Sequence, residues 1–501
     1  MRHLRTIALV LLATACAGSK RSYVGSPSVY PPSSRVAIAA DSTSGEDYRD
    51  WGKNPWVDAQ KDHLSTFAAD VDTASYTIAR RKLNEGTLPP KEAVRVEEFV
   101  NYFKYAFPPP AAGSPFAVVM DAAPSPLSPD RMILRVGVAT KAKTQAERKP
   151  ANLVFLVDVS GSMGSADKLG LAQQSLRILT NNLGPRDSVS LVTYAGSTRV
   201  VLPATGMENK DRILAAIDEL TSGGSTAMGS GLDLAYEQAM KGLLPGSISR
   251  VIVLTDGDAN VGAQGHDALL SIIESRAKAG VFLSTVGFGM GNYKDTAMEQ
   301  LADKGNGQAL YIDSASAAKR VFADQLGSTL EVVAKDVKLQ VDFDPAVVAK
   351  YRLVGYENRD IKNEQFRDDK VDAGEIGAGH QVTAMYEIEL TPSAHITPSS
   401  FGMVRIRHKA PDGDKAMENT YAMGSVPAGS FAAASADLRF AFAVTAFADL
   451  LRGGDEAKGW SLDKIAQVAR EAAGNDPDRA ELISLIEKAR SLRGTPATVA
   501  R

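Results

Sequence analysis

Short apolar runs alternate with helix-forming segments between residues 151 and 330, and this alternation constrains the fold more than any other feature of the sequence. The runs are continuously apolar, so we expect strands that are buried on both faces. Strands that are joined through helices pair in parallel and need helices on both sides of the sheet. The pattern therefore predicts an α/β fold with a doubly wound, mostly parallel sheet. The runs are NLVFLVD, DSVSLVTYA, RVIVLTD, GVFLSTVGF and QALYID.

After residue 330 the hydrophobic period changes to two. In the segment DVKLQVDFD, every second residue from Val337 to Phe343 is apolar, which is typical of a strand with one exposed face. Similar segments follow, so we expect a small antiparallel β-sandwich over residues 331–425. Two further strands within residues 116–148 are expected to join this sandwich, which would make the α/β domain an insertion.

Helical patterns flank these two regions. Helices are predicted at residues 73–84 and 91–105, separated by a glycine and a Pro-Pro pair. Near the C terminus a nearly all-apolar helix precedes two shorter ones, and its Asp437, Arg439 and Asp449 argue against a membrane span. The predicted organisation is a signal peptide at 1–16, a disordered tether at 17–60, a helical module at 61–110, sandwich strands at 116–148, the α/β domain at 151–330, the sandwich at 331–425 and a C-terminal helical region at 430–495.

The first sixteen residues have the order of a secretory signal peptide. Basic residues precede the apolar run IALVLL, and small residues then lead into Cys16. The segment resembles a bacterial lipoprotein signal, which implies that Cys16 is lipidated, becomes the mature N terminus and anchors the chain to a membrane. The alternative is a plain signal that is cleaved near Ala15. On either interpretation the chain is exported to the cell envelope. Ala17 favours the periplasmic face of the outer membrane, because it is not the aspartate of inner-membrane retention.

Cysteine content and charge argue against a disulfide-stabilised protein and against a nucleic-acid-binding protein. Cys16 is the one cysteine of the 501 residues, so the exported domains must be stable without disulfides. The net charge is −3 with acids and bases mixed along the chain, so we expect no nucleic-acid partner.

Polar residues gather where two apolar strands end. The run NLVFLVD ends in Asp158 and the run RVIVLTD ends in Asp256, and these two strands are neighbours in the common doubly wound order. Two carboxylates about 6 Å apart repel by roughly 3 kcal/mol at an effective dielectric near 20, so a bound cation is expected. Ser160 and Ser162 in the following turn, and Thr226 in a glycine-rich loop, could add hydroxyl oxygens. Such oxygen ligands suit Mg²⁺, with Mn²⁺ or Ca²⁺ as alternatives.

This set of five residues resembles the metal-ion-dependent adhesion site of von Willebrand factor type A domains. The matching motifs are Asp158-x-Ser160-x-Ser162, Thr226 after two glycines, and Asp256-Gly. The resemblance implies that the hydroxyls supply direct or water-linked metal oxygens, while the two aspartates act mostly through bound water. It also implies that the sixth coordination position is left for an acidic side chain of a partner protein.

The resemblance extends to almost all of the chain after residue 60. The segments STFAADVDTASY, LNEGTLPPKEAVRVEEFVNYF, GNYKDTAMEQLADKGNG and DAGEIGAGHQVTAMYE are similar to those of the YfbK-type bacterial lipoproteins, which carry a type A domain between an N-terminal helical module and a C-terminal domain. This resemblance implies an architecture and adds no activity to the interpretation.

Other segments of the sequence do not match known catalytic motifs. The segment Asp70-Val-Asp72-Thr73 lacks the following residues of a phosphotransferase motif, so Asp72 or Thr73 is expected to cap a helix. The six histidines form no cluster, and no general base stands beside Ser160, so no catalytic residue is predicted. Two alternatives to adhesion stay open: a metal-dependent envelope hydrolase and a structural scaffold with a stabilising metal.

Overall fold

The structure is a computed structural model. It describes residues 48–69, 72–225, 227–257, 266–289, 294–371, 373–394, 401–411, 413–422, 427–454 and 459–494. The predicted signal peptide with Cys16, the predicted tether as far as residue 47, Asp70 and Thr226 lie outside the described residues. In the described parts of the chain, no helix is both long and apolar enough to cross a membrane.

The N-terminal part supplies two short strands, two helices and a β-hairpin. The predicted helix at residues 91–105 is shorter than expected, because Arg95 has an extended backbone that separates a 3₁₀ turn from the helix. This conformation lets the Arg95 N–H donate to Ser75 Oγ at 2.8 Å, so a tertiary hydrogen bond outweighs helix propensity. The elements are β1 (Val57–Asp58), β2 (Leu64–Ala68), α1 (Ala74–Asn84), α2 (Val96–Tyr102), β3 (Phe116–Pro124) and β4 (Arg131–Thr140).

The predicted α/β fold class is confirmed, because a six-stranded sheet lies between helices. Its strands are β5 (Ala151–Asp158), β6 (Ser188–Tyr194), β7 (Thr198–Gly206), β8 (Ile248–Thr255), β9 (Val281–Phe288) and β10 (Ala309–Ile312). Their spatial order is β10-β9-β8-β5-β6-β7, and every neighbouring pair is parallel except β6 with β7. The helices are α3 (Leu171–Asn182), α4 (Lys210–Asp218), α5 (Met228–Lys241), α6 (His266–Lys278), α7 (Asp295–Lys304), α8 (Ala315–Lys319) and α9 (Leu326–Leu330).

Strand β5 is buried along its whole length because both of its faces are covered by helices. Alternate side chains of a strand point to opposite faces. Phe155 packs into one apolar cluster with Leu176 of α3, whereas Leu156 packs into another with Leu232 of α5. A strand in this position has no solvent-exposed side chain, which explains its continuous apolar sequence.

The sandwich is built from chain segments on both sides of the α/β domain. Its strands that follow the α/β domain are β11 (Val332–Phe343), β12 (Val348–Val354), β13 (Ile376–Gly377), β14 (Gln381–Leu390), β15 (Gly402–Lys409) and β16 (Ala416–Ala422). One sheet has the order β1-β12-β14-β4-β3, and the other has the order β13-β11-β15-β16 with β2 paired to β11. Strand β4 therefore pairs with β14 across more than two hundred intervening residues.

Three C-terminal helices pack against the N-terminal helices. They are α10 (Ala436–Leu451), α11 (Leu462–Ala472) and α12 (Pro477–Gly494). Helix α10 is apolar on most sides because it lies within this cluster, where Phe440 meets the ring of Phe103 at a centroid distance of 5.0 Å. Its Asp437 pairs with Arg479 at 2.7 Å, so charge inside this helix is neutralised within the protein.

Candidate metal centre

Asp158 and Asp256 lie at one edge of the central sheet. Strands β5 and β8 are parallel neighbours, as the sequence predicted. Val157 lies opposite Leu254, so both aspartates follow at the carboxyl edge. Both residues are fully buried. The hydroxyl of Thr255, the residue between Leu254 and Asp256, donates to Asp158 Oδ2 at 3.2 Å and thereby links the two strand ends.

The turn after β5 brings two serine hydroxyls to this edge. The Ser160 N–H donates to Asp158 Oδ1 at 2.8 Å, which fixes the carboxylate at the start of the turn. The Oγ atoms of Ser160 and Ser162 are 3.0 Å apart, with Ser160 buried and Ser162 half-buried. Three of the five predicted ligands, Asp158, Ser160 and Ser162, therefore lie together.

The glycine-rich loop is attached to the same turn by backbone hydrogen bonds. The Gly161 N–H donates to the Gly224 carbonyl at 3.0 Å, and the Gly223 N–H donates to the Val159 carbonyl at 2.7 Å. Gly224 has a φ of +92°, and a Cβ there would lie 3.1 Å from the Gly196 nitrogen, so this position requires glycine. The chain thus reaches the turn just before Thr226, which itself lies outside the described residues.

Burial makes this edge electrostatically costly for a carboxylate. Burial raises the pKa of Asp158 above its usual value, and the nearby charge of Asp256 raises it further, while hydrogen bonds from Ser160 and Tyr194 oppose the shift. A divalent cation with bound water would stabilise both carboxylates. The donor set therefore fits a metal ion.

Lys168 also contacts this edge, and the sequence did not predict it. Its Nζ lies 2.9 Å from Asp256 Oδ2, and its side chain is 11% exposed. The side chain crosses Gly289, where an added Cβ would lie 2.2 Å from Lys168 Cγ and where φ is +74°. The sequence could not predict this contact, because it depends on the path of the lysine side chain. The signal present in the sequence was a lysine shortly after the serine turn.

The N-terminal module reaches the rim of the same edge. Arg81 of α1 donates to the carbonyl of Gly289 at 2.9 Å, and the Tyr311 hydroxyl donates to that same carbonyl. Because Gly289 follows β9 and supports Lys168, helix α1 helps to fix the wall beside Asp256.

The structure corrects the expectation that Asp72 or Thr73 caps a helix through its side chain. Asp72 caps no helix: its carboxylate accepts from the Ala309 N–H at 2.9 Å and from Arg359 at 3.1 Å, and Thr73 makes no side-chain cap. Within the described ranges, no three residues among His, Cys, Asp and Glu form a group that could hold a metal. The candidate centre therefore depends on hydroxyl oxygens as well as carboxylates.

Three family descriptions match successive parts of the chain. A family described as "von Willebrand factor type A domain" matches residues 152–324, and one described as "Uncharacterized protein YfbK, C-terminal" matches residues 328–492. A third, described as "von Willebrand factor", matches residues 42–135. None of these descriptions names a catalytic activity, and von Willebrand factor type A domains commonly bind a divalent metal.

Individual relatives cover different shares of the chain. The Escherichia coli protein YfbK is 40% identical over 467 residues, which are 88% of this chain and 80% of the relative. The Synechocystis protein sll0103 is 27% identical over 286 residues, which are 56% of this chain and 66% of that protein. Among solved structures, a von Willebrand factor type A protein from Catenulispora acidiphila is 14% identical with a TM-score of 0.40, over 92% of this chain and 93% of that chain.

Proposed function

The chain belongs to the YfbK-type family of von Willebrand factor type A proteins, and from this membership we propose that it binds a partner protein through a divalent metal at the carboxyl edge of its central sheet. At the family level, a type A domain implies protein–protein interaction or metal-dependent adhesion. Mg²⁺ is the proposed ion, with Mn²⁺ or Ca²⁺ as alternatives, and an acidic side chain is the proposed contribution of the partner.

A single observation carries this proposal: two buried carboxylates and two neighbouring hydroxyls share one strand edge. Asp158 and Asp256 are fully buried, and Ser160 and Ser162 bring their Oγ atoms within 3.0 Å of each other. Burying two acidic groups together costs free energy, and the Lys168 ammonium offsets only one of the two negative charges. Oxygen ligands of this kind suit Mg²⁺ and not zinc.

The side chains would have distinct roles in binding. Ser160 and Ser162 would offer neutral oxygens, and Asp158 and Asp256 would offset the charge of the ion, mostly through bound water. Thr226 is proposed as a further hydroxyl ligand on the strength of its motif alone. A bound divalent ion supplies Lewis acidity toward an incoming oxygen ligand. Because the hydroxyls carry no charge, they leave that acidity available for a carboxylate of the partner.

We propose that this role is not enzymatic. Within the described ranges, the Asp158 and Ser160 side chains hydrogen-bond to Thr255, Ser162, Tyr194 and backbone groups. Burial raises the pKa of Tyr194 well above its usual value, so none of these groups is a general base. A metal-dependent hydrolase would need such a base beside the ion. In the scaffold alternative the same metal is bound but there is no partner protein. Binding of an acidic ligand to the metal-loaded site would distinguish adhesion from this alternative.

The location of the ion gives a direct test. We expect crystals soaked in Mn²⁺ to show one strong anomalous peak within about 2.5 Å of the Ser160 and Ser162 Oγ atoms. The same crystals soaked in Ca²⁺-free, Mn²⁺-free buffer with a chelator serve as the control. Strong peaks elsewhere on the protein, with none at this edge, would rule out the proposed centre.

We also propose that the chain is lipid-anchored at Cys16 and faces the periplasm from the outer membrane. The support is the signal-like sequence that ends in Cys16 and the alanine that follows it. We expect the full chain, expressed in a bacterium with an outer membrane, to sediment with outer-membrane vesicles, and Cys16→Ser to prevent incorporation of labelled palmitate. Equal labelling of the variant would exclude this anchor, and equal sedimentation would show that lipid is not what holds the chain.

A further inference from the structure

A lysine side chain reaches the acidic pair from the segment that follows the serine turn. Lys168 lies in a single π-helical turn, Ala166–Gly170, directly before α3. Such turns are often found at functional sites, because they displace a side chain from the regular helical position. From here Nζ reaches Asp256 Oδ2 at 2.9 Å, on the strand next to β5.

The contact between Lys168 and Asp256 is largely shielded from solvent, so the charge of Lys168 acts strongly on neighbouring groups. The Lys168 side chain is 11% exposed and Asp256 is fully buried. Gly289 leaves space for the aliphatic part of the lysine, since any side chain there would collide with it. Solvent and salt screen a charge in such surroundings far less than they screen the charge of a surface lysine.

Among the described residues, two carboxylates and the ammonium group that contacts one of them influence what a loaded site can bind. Asp158, Asp256 and Lys168 together carry a formal charge of −1, because the ammonium group offsets one of the two carboxylates. A divalent ion would bring this cluster to +1, and one carboxylate from a partner would then bring it to zero. Without Lys168 the loaded cluster would already be neutral, and the same carboxylate would leave it at −1.

We propose that Lys168 is a charge-balancing residue that weakens the affinity of the site for the metal and strengthens the affinity of the loaded site for a carboxylate. This inference rests on the proposed function and adds a reason why the sixth ligand should be acidic. It predicts opposite changes in two affinities, which a merely structural role would not produce.

The test compares Lys168→Met with wild type in two titrations of the purified protein. We expect Mg²⁺, followed by calorimetry, to bind Lys168→Met about ten-fold or more tightly than wild type, because a buried positive charge has been removed. We expect acetate, titrated into Mn²⁺-loaded protein and followed by water-proton relaxation, to bind the variant about ten-fold or more weakly. Methionine keeps an unbranched side chain over Gly289.

Two further variants keep this test decisive. Lys168→Arg retains the charge and should restore both affinities toward wild type. Lys241→Met removes the same charge from an exposed ion pair at the far end of α5, about 20 Å along a 14-residue helix, and should change neither affinity. If Lys168→Met and wild type bind Mg²⁺ equally, or if both affinities fall together, the charge-balancing role is excluded. If wild type itself binds no metal, the proposed function fails and this inference fails with it.

Discussion

Arg95→Met is expected to lower the free energy of unfolding by about 3–5 kcal/mol at pH 8, because it removes one partner of a buried ion-pair cluster. The Arg95 guanidinium lies 2.6 Å from Asp295 and also pairs with Glu98, and all three side chains are at most 7% exposed. Asp295 begins α7, so this cluster joins the N-terminal module to the α/β domain. Removing Arg95 would leave Glu98 and Asp295 buried without that compensating charge.

The loss of unfolding free energy in Arg95→Met should increase with pH. Burial raises the pKa of Glu98 to about 7 and raises that of Asp295, and Arg95 opposes both shifts. Removing Arg95 raises both pKa values further, so the folded variant holds protons that the unfolded chain releases as the pH rises above about 4.5. The destabilisation should therefore be smaller at pH 5 than at pH 8. Urea denaturation at both pH values measures it.

Arg177→Met is the matched control for this prediction. Arg177 pairs with Asp218, but these side chains are 44% and 51% exposed, so the loss of stability is expected to be far smaller than in Arg95→Met. Equal stabilities of Arg95→Met and Arg177→Met would contradict the role of the buried cluster. A loss in Arg95→Met that grows toward acid pH would contradict its electrostatic origin.

Much of the fold was predictable because it follows from local patterns. Continuous apolar runs and their helical connections determine a parallel sheet, and the register of β5 and β8 then places Asp158 and Asp256 at one edge. The turn that holds Ser160 and Ser162 is equally local, since Asp158 accepts a hydrogen bond from a residue two positions later. The turn depends on local contacts alone, and the pairing of the distant strands β5 and β8 follows from the common strand order of doubly wound sheets.

The features that the sequence did not predict depend on contacts between distant segments. Arg81 meets Gly289 across 208 positions, and Arg95 meets Asp295 across two hundred. Neither pair has a periodic signal, because each consists of one residue on each of two elements. A helix cap from Asp72 or Thr73 was expected; Thr73 does lie at the N-cap of α1, but without a side-chain hydrogen bond, and the Asp72 carboxylate is used by Ala309 and Arg359, which lie far away in the chain.

Asp158→Asn is expected to lower the affinity for Mg²⁺ by about 100-fold or more. The substitution keeps the size of the side chain and its acceptor oxygen for Ser160, but it removes one of the two negative charges that offset the ion. The Asp158 carboxylate is also fully buried, so solvent cannot replace its charge. Because burial disfavours the ionised form of Asp158, the metal-free variant should be at least as stable as metal-free wild type.

Glu237→Gln is the matched control, because it makes the same carboxylate-to-amide change away from the candidate metal centre. Glu237 lies in the last turns of α5, 58% exposed and paired with Lys241, so its loss should alter Mg²⁺ affinity by less than about two-fold. Thermal unfolding without metal checks that all three proteins are folded before titration. Added Mg²⁺ should then raise the melting temperature of wild type and Glu237→Gln but not that of Asp158→Asn.

The decisive measurement is a calorimetric titration of Mg²⁺ into wild type, Glu237→Gln and Asp158→Asn at one pH and ionic strength. We expect one binding event per chain in the first two proteins, and an affinity about 100-fold or more lower in Asp158→Asn. Binding of equal strength in all three proteins would contradict a metal centre built on Asp158, and so would the absence of binding in wild type.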